Sequence, residues 1–193
     1  LFSRQREVRE GADCLGGTIV IARDGSRSAL MKASALSLPG RHNLENALAV
    51  ACLAGRAGIA PEALAEGLST FGGVPHRIET VRILDGVTWV NDSKSTNQDS
   101  LKVALESFDR PVILIAGGLS KKTSYGDLAG LVSERVRDLI LIGSATEELA
   151  LAWAGTAPMH RAGDMEGAVR LARSLAGQGD VVLLSPACAS FDQ

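Results

Sequence analysis

Uninterrupted apolar runs in the second half of the sequence place the tightest limit on its fold. They occupy residues 112–116, 139–142 and 181–184, and each has the length of a strand. Strands that are apolar on both faces have to be covered on both faces, which is the situation in a parallel sheet. The segments between them carry apolar residues at helical spacing, as at Leu101 and Leu105. The sequence therefore predicts an α/β fold, with a mainly parallel sheet and helices on both faces.

Two Asp-Gly pairs predict tight turns beside strands. Asp24-Gly25 closes an apolar run within residues 1–38, which have the pattern of short strands and turns. Asp85-Gly86 separates two further strand-like runs by two residues, which is the spacing of a β-hairpin. The second pair therefore predicts a hairpin where the alternation of strands and helices begins.

Two helices are predicted between these turns. Apolar residues recur at helical spacing from Leu44 onward, with Asn43 as a candidate N-cap and Asn46 on the same helix face. The second helix begins near Pro61, because proline suits the first turn of a helix. On these residues alone, Asn43 and Asn46 are either ligand-binding residues or no more than a cap and its neighbour.

The composition excludes several classes of protein. Lys and Arg number 20 against 22 Asp and Glu, so the net charge of -2 gives no general attraction to nucleic acid or to anionic membranes. No apolar run approaches the roughly 20 residues of a membrane span. Three widely spaced cysteines with no CxxC pair favour a reducing compartment and give no support for a zinc site. We expect a cytoplasmic monomer with neither nucleic acid nor membrane as a partner.

The chain has features of a fragment. Its first residues are polar, lack the apolar core of a signal peptide and do not begin with Met. The pattern of the sequence changes near residues 73–75. We therefore expect the end of one domain over residues 1–74 and a second domain over residues 75–193.

Three loops that follow predicted strands hold most of the polar clusters of the second domain. They are residues 91–97 (NDSKSTN), 117–125 (GGLSKKTSY) and 186–193 (PACASFDQ). Ligands of open α/β sheets bind beyond the carboxyl ends of the strands. Backbone N–H groups, lysines and hydroxyls at such a place suit an anionic ligand. The sequence therefore predicts an anion-binding edge built from these loops.

The loops also have a purely structural interpretation. In the first loop, Thr96 or Asn97 can cap the following helix while Lys94 points into solvent. In the second loop, Lys121 and Lys122 can be a solvated pair. On these residues alone, both interpretations stay open.

Two apparent motifs do not fit the patterns that they resemble. The segment LIAGGLSKKT resembles a Walker A loop, but Ala116 and Lys121 stand where its glycines belong. Ser185 and Ser190 lie near Cys188, yet no GxSxG elbow surrounds either serine. The chain therefore lacks a P-loop and gives no support for a serine hydrolase.

Five segments occur in the order in which the Mur ligase family carries them. They are LPGRHNLENALA, FGGVPHRIE, GVTWVNDSKSTN, GGLSKK and VVLLSPACASFDQ, and they span about residues 38–193. The first two resemble motifs shared with the folylpolyglutamate synthases. The NDSKSTN and LSPACASFDQ segments resemble those of the family member that adds D-glutamate.

The resemblance implies an ATP-dependent acid–D-amino-acid ligase of peptidoglycan precursor synthesis. In that reaction the carboxylate of UDP-N-acetylmuramoyl-L-alanine becomes an acyl phosphate, which the amine of D-glutamate attacks. ATP and Mg²⁺ are implied, with the P-loop and the metal ligands upstream of this chain, so the fragment alone is expected to be inactive. Residues 1–74 would end the central ATP-binding domain, and residues 75–193 would form a Rossmann-like domain that binds the amino acid.

The resemblance further implies a set of nucleotide-binding residues. Asn43 and Asn46 match the asparagine pair near the nucleotide, with Asn46 facing the adenine. Arg77 matches an arginine that reaches the phosphates, and Asp92 matches a carboxylate that binds the ribose. Lys94 matches the catalytic lysine between the nucleotide and the amino acid.

Four residues are implied in binding D-glutamate. Thr96 faces one carboxylate, Lys121 and Ser190 grip the side-chain carboxylate, and the backbone of Phe191 lies alongside. The loop departs from the usual family pattern GGxxKGxDF, so Lys122 is an alternative to Lys121. The aromatic and FxxRG segment that follows in the family is missing after Gln193.

Two other functions stay open on the sequence. The missing P-loop favours a module that binds a nucleotide or a dicarboxylate without catalysis. The shared motifs also fit another Mur or folylpolyglutamate-type ligase.

Overall fold

The computed structural model describes residues 1–38, 40–120 and 124–189. The chain divides into two units, Leu1–Gly73 and the part from Val74 onward. Among the described residues, no helix combines the length and the apolar character needed to cross a membrane.

A four-stranded sheet forms the framework of the first unit. Its strands, in spatial order, are β1 (Phe2–Ser3), β2 (Gly11–Leu15), β3 (Thr18–Arg23) and β4 (Ser26–Lys32). The pair β1–β2 is parallel, and the other two pairs are antiparallel. The predicted turn at Asp24-Gly25 is confirmed, since it joins β3 to β4 with φ of 50° and 76°. Positive φ at both central positions is the requirement of a type I′ hairpin turn.

Two helices pack against this sheet. They are α1 (Arg41–Arg56) and α2 (Pro61–Thr70), and Pro61 stands at the start of α2 as predicted. The prediction of Asn43 as an N-cap is wrong, because α1 begins at Arg41 and its N-cap is Gly40. Gly40 has a φ of 103°, which glycine adopts without the steric penalty of a side chain. The apolar core between helices and sheet includes Ala12, Ile19, Leu48, Ala51 and Leu64.

The second unit contains a six-stranded sheet. Its strands are β5 (Glu79–Leu84), β6 (Val87–Asn91), β7 (Val112–Gly117), β8 (Val136–Ile142), β9 (Met159–Gly163) and β10 (Val181–Leu184). Their spatial order is β5-β6-β10-β7-β8-β9. Only the β5–β6 hairpin is antiparallel within this described sheet, and its turn is the predicted Asp85-Gly86. The predicted α/β fold class is confirmed.

Helices cover both faces of the sheet. The helices α3 (Gln98–Glu106), α4 (Ala129–Arg135) and α5 (Thr146–Ala152) pack on one face, in a cluster that contains Leu114. Helix α6 (Met165–Leu175) packs on the other face, in a cluster that contains Ile113 and Ile115. Alternate residues of one strand therefore supply two cores. The predicted cap of α6 is confirmed, because Asp164 Oδ1 accepts a hydrogen bond from Gly167 N at 2.7 Å.

An ionic cluster lies at the amino end of β8. Asp138 accepts hydrogen bonds from Arg137 Nε at 2.9 Å and pairs with His160 Nε2 at 3.1 Å. Arg137 also donates to Asp180 Oδ2 at 2.6 Å. Burial acts to raise the pKa of Asp138, but the hydrogen bonds from His160 and Arg137 outweigh it and hold the pKa below its usual value. The ionised carboxylate is therefore the form that stabilises the fold.

Replacing Asp138 with asparagine should lower stability at neutral pH by about 1–2 kcal/mol, because charged hydrogen bonds are lost. A depressed carboxyl pKa stabilises the fold above the unfolded value near about 4 and loses that effect as the pH falls through the folded value. The difference between wild type and variant should therefore shrink in acid. Urea unfolding at several pH values measures it, and a constant difference down to the acid limit would contradict this account.

Candidate functional site

The three predicted site loops leave neighbouring strands of the sheet. Strand β10 lies between β6 and β7, and these three strands are parallel. Their carboxyl ends therefore meet at one edge, and the loops that follow them are adjacent. Among the described residues, the three loops lie side by side at this edge, as expected.

Main-chain hydrogen bonds tie the loops together. Gly117 N donates to Pro186 O at 2.9 Å, and Leu119 N donates to Ala189 O at 2.7 Å. Gly117 has a φ of 125°, and a Cβ atom there would lie 2.0 Å from the carbonyl oxygen of Ile142. The first glycine of GGLSKK is therefore required by the close approach of two strands and by its backbone conformation.

Asp92 lies at the centre of the edge, directly after β6. It is 5% exposed, and its Oδ1 and Oδ2 atoms accept hydrogen bonds from Ile78 N at 3.1 Å and Ser185 Oγ at 2.9 Å. Burial raises the pKa of Asp92, while the bonds from Ser185 and Ile78, the side chain of Ser95 and the charge of Arg77 act in the opposite direction. Each carboxylate oxygen has a second lone pair, so these bonds leave acceptor capacity.

Lys94 and Thr96 follow Asp92 in the same loop. Lys94 is exposed, and its N–H donates to His76 O at 3.1 Å. Thr96 is half-buried, and its N–H donates to Lys94 O at 2.9 Å. Arg77 is exposed and near enough for its charge to act on Asp92. The structure therefore brings Arg77, Asp92, Lys94 and Thr96 to one place.

Asn97 is the N-cap of α3, which resolves the choice left open between Thr96 and Asn97. The side chain of Asn97 accepts a hydrogen bond from Ser100 N at 2.9 Å. Because Asn97 caps the helix, the capping interpretation does not apply to Thr96.

The remaining predicted site residues are Asn43, Asn46, Lys121, Ser190 and Phe191. Asn43 and Asn46 belong to the first unit, where they stand one helical turn apart near the start of α1, with Asn46 exposed. Lys121, its alternative Lys122, Ser190 and Phe191 lie outside the described residues, and their roles stay predictions.

Two buried aromatic residues, Tyr125 and Trp153, anchor the loop after β7. Trp153 Nε1 donates to Tyr125 O at 2.9 Å, and the two rings meet edge to face at 77° with centroids 6.3 Å apart. The hydroxyl of Tyr125 lies 3.2 Å from Cys188 Sγ, in the loop after β10. Gln98 Nε2 donates to Ser124 O at 2.6 Å. The loop is therefore held to α3, α5 and the loop after β10.

A cleft opens beside these loops. It has a volume of about 460 Å³, and its lining includes Asn97, Gln98, Asp127 and Ala187. This volume is in the range of small-molecule sites. Among residues 1–38, 40–120 and 124–189, no group of three His, Cys, Asp or Glu side chains is arranged to hold a metal ion.

Sequence reasoning missed the part that Ser185 has in this site. Its hydroxyl was considered only as a nucleophile, but it is fully buried and donates to Asp92. The position of Ser185 in the sequence is the signal that could have revealed this contact. Ser185 directly follows β10, just as Asp92 directly follows β6.

The chain is similar in sequence to known proteins. A family profile described as "Mur ligase, glutamate ligase domain" matches residues 76–188. The UDP-N-acetylmuramoylalanine–D-glutamate ligase of Myxococcus xanthus is 46% identical over 196 residues, which cover 100% of this chain and 43% of that protein. The chain therefore spans less than half the length of this relative.

Solved structures share the fold at lower identity. A pseudomurein peptide ligase type C from Methanothermus fervidus matches with a TM-score of 0.67 and 21% identity, covering 93% of this chain and 39% of that one. A Mycobacterium tuberculosis folylpolyglutamate synthase complexed with ADP matches with a TM-score of 0.66 and 17% identity, covering 92% and 44%.

Proposed function

Because this chain belongs to the Mur ligase family, we propose that it is the C-terminal part of an ATP-dependent ligase that joins D-glutamate to UDP-N-acetylmuramoyl-L-alanine. The observation that carries the proposal is the edge where the loops after β6, β10 and β7 meet, in a chain 46% identical throughout to a ligase of that name. The intact protein would act in peptidoglycan precursor synthesis, in the cytoplasm and as a monomer.

The proposed roles at the edge follow from charge and exposure. The ammonium group of Lys94 stabilises negative charge as the phosphoryl group moves and the amine attacks. Arg77 contacts the nucleotide phosphates, and the remaining acceptor capacity of Asp92 serves the ribose. Asn43 and Asn46 contact the nucleotide from the first unit, which we assign to the end of the central ATP-binding domain.

D-glutamate is the proposed ligand of the second group of residues. Its two carboxylates need donors that do not compete as acceptors, and lysine is such a donor. Thr96 holds one carboxylate, and Lys121 and Ser190, with the backbone of Phe191 alongside, hold the side-chain carboxylate.

ATP and Mg²⁺ are the proposed cofactors of the intact protein. A folylpolyglutamate synthase of similar fold is complexed with ADP, which supports nucleotide binding by the intact protein. Bound magnesium would neutralise the phosphates, and we place its ligands in the part of the protein that precedes this chain.

An amino-acid panel tests the proposal. The intact protein, incubated with ATP, UDP-N-acetylmuramoyl-L-alanine and each of several D- and L-amino acids, should release phosphate with D-glutamate. Preference for another amino acid or a glutamyl chain would instead indicate a sister ligase. Nucleotide or dicarboxylate binding with no turnover would instead indicate the non-catalytic module.

Replacing Lys121 with alanine should raise KM for D-glutamate roughly ten- to hundredfold, with a smaller effect on KM for ATP. The reason is the loss of one charged hydrogen bond of roughly 1.5–3 kcal/mol. Lys122→Ala is the matched control, and initial rates at varied D-glutamate measure both. An effect in Lys122→Ala alone would transfer the role to Lys122, and unchanged glutamate kinetics in both variants would refute it.

A further inference from the structure

Ser185 is a buried hydroxyl that the proposed reaction does not use. It is 0% exposed and follows β10 directly. Its Oγ donates to Asp92 Oδ2 at 2.9 Å, across 93 residues of sequence. A buried carboxylate needs donors to remain ionised, since burial otherwise favours the protonated acid.

The hydrogen bond between Ser185 and Asp92 lies at one end of residues 92–96, a short segment that we name the Lys94 turn. Asp92 N donates to Leu184 O at 2.8 Å, and Ser95 N donates to Asp92 O at 2.8 Å. Ala187 N donates to Ser95 O at 2.8 Å. Asp92 and Ser95 are buried, whereas Lys94 between them is exposed. The turn is therefore fixed at two buried points, with the lysine presented outward.

Backbone strain is concentrated around the same turn. Among the described non-glycine residues, positive φ occurs at five positions, and Asp24 and Asp85 belong to Asp-Gly hairpin turns. The other three are His76 (67°), Ile78 (47°) and Ala187 (59°). His76 O and Ala187 N form main-chain hydrogen bonds to the Lys94 turn, and Ile78 N donates to the side chain of Asp92 in it. Such conformations persist only where the surroundings enforce them, and a β-branched isoleucine is especially disfavoured there.

We propose that Ser185 is a positioning residue, whose hydroxyl fixes Asp92 and thereby holds the Lys94 turn in the orientation that the ligation reaction needs. The inference rests on the proposed function, since Lys94 is the residue positioned for chemistry. Ser185 touches neither reacting group and acts only through Asp92.

The protonation of Asp92 depends on the same hydrogen bond from Ser185. Burial raises the pKa of Asp92, and the Ser185 hydrogen bond, the Ile78 N–H, the Ser95 side chain and the charge of Arg77 lower it. Removing the hydroxyl raises this pKa further, so the anchor becomes protonated at a higher pH. The acid limb of the pH profile should therefore move upward in a variant that lacks the hydroxyl.

Ser185→Ala in the intact ligase should lower kcat roughly tenfold to a hundredfold and shift the acid limb of kcat to higher pH. In an Asp92→Asn background, the same replacement should have little further effect, because the two residues act through one bond. Ser107→Ala is the control, since it removes the hydrogen bond from Ser107 Oγ to Val103 O at the end of α3, away from the turn. Melting temperatures establish that the variants fold.

A second measurement does not depend on catalysis. In this chain, NMR titration of the Asp92 carboxyl carbon should show a higher pKa in Ser185→Ala, and amide exchange at Ser95 and Ile78 should be faster. An unchanged pKa and unchanged exchange would overturn the proposal, as would a fall in kcat with no change in the acid limb. A wild-type protein without ligase activity would defeat the proposed function, while the NMR result would still decide whether Ser185 fixes the turn.

Discussion

Lys94→Ala in the intact ligase is expected to abolish measurable turnover, a fall in kcat of roughly 10³-fold or more. The side chain is exposed, so its removal creates no cavity. Its backbone is held by the bond from Lys94 N to His76 O at 3.1 Å, which alanine keeps. The lost interaction is the positive charge that we propose lies beside the transferred group, where its stabilising effect would be largest in the transition state.

Phosphate release at saturating substrates measures this effect. Binding of ATP, followed by calorimetry, should weaken far less than kcat falls. Lys32→Ala is the control, because Lys32 is an exposed lysine in β4 that only donates to Thr18 Oγ1 among its described contacts. Retention of more than about a tenth of wild-type kcat in Lys94→Ala would remove this lysine from the reaction.

Local rules explain what the sequence predicted well. The turns at Asp24-Gly25 and Asp85-Gly86, the proline at the start of α2 and the cap at Asp164 all depend on residues within a few positions of each other. The apolar strands also identify themselves, because a parallel strand is buried on both faces. These features together predict the fold class without any knowledge of strand order.

The same local rules do not predict the order of the strands in the sheet. The last strand, β10, inserts between β6 and β7, and nothing local to its sequence specifies those neighbours. The bond between Ser185 and Asp92 follows from that insertion alone. No GxSxG elbow surrounds Ser185 in the sequence. In the structure its hydroxyl is a buried hydrogen-bond donor to Asp92. The resemblance supplied roles for Lys94 and Thr96, but the anchoring of their turn required coordinates.

Replacing Trp153, which packs against Tyr125, is expected to have the largest effect on the free energy of unfolding. Trp153 is 0% exposed, and its Nε1 donates to Tyr125 O at 2.9 Å. Trp153→Ala should destabilise the second unit by about 3–5 kcal/mol, because it leaves a large cavity and removes the shorter of the two hydrogen bonds to Tyr125 O, which keeps only the bond from Leu128 N at 3.4 Å. Trp153→Phe should cost about 1–2 kcal/mol, since it keeps ring packing and loses the hydrogen bond.

Trp89→Phe is the matched control for that hydrogen bond. The Nε1 atom of Trp89 is buried without a hydrogen-bond partner among the described residues, so its removal leaves no acceptor unpaired. The chain has 2 tryptophans, Trp89 and Trp153, and both lie in the second unit, so fluorescence during urea unfolding reports that unit selectively. If Trp153→Phe and Trp89→Phe have equal effects, the bond to Tyr125 contributes nothing measurable. In that case packing alone supports the loop that leads from β7 to the proposed glutamate site.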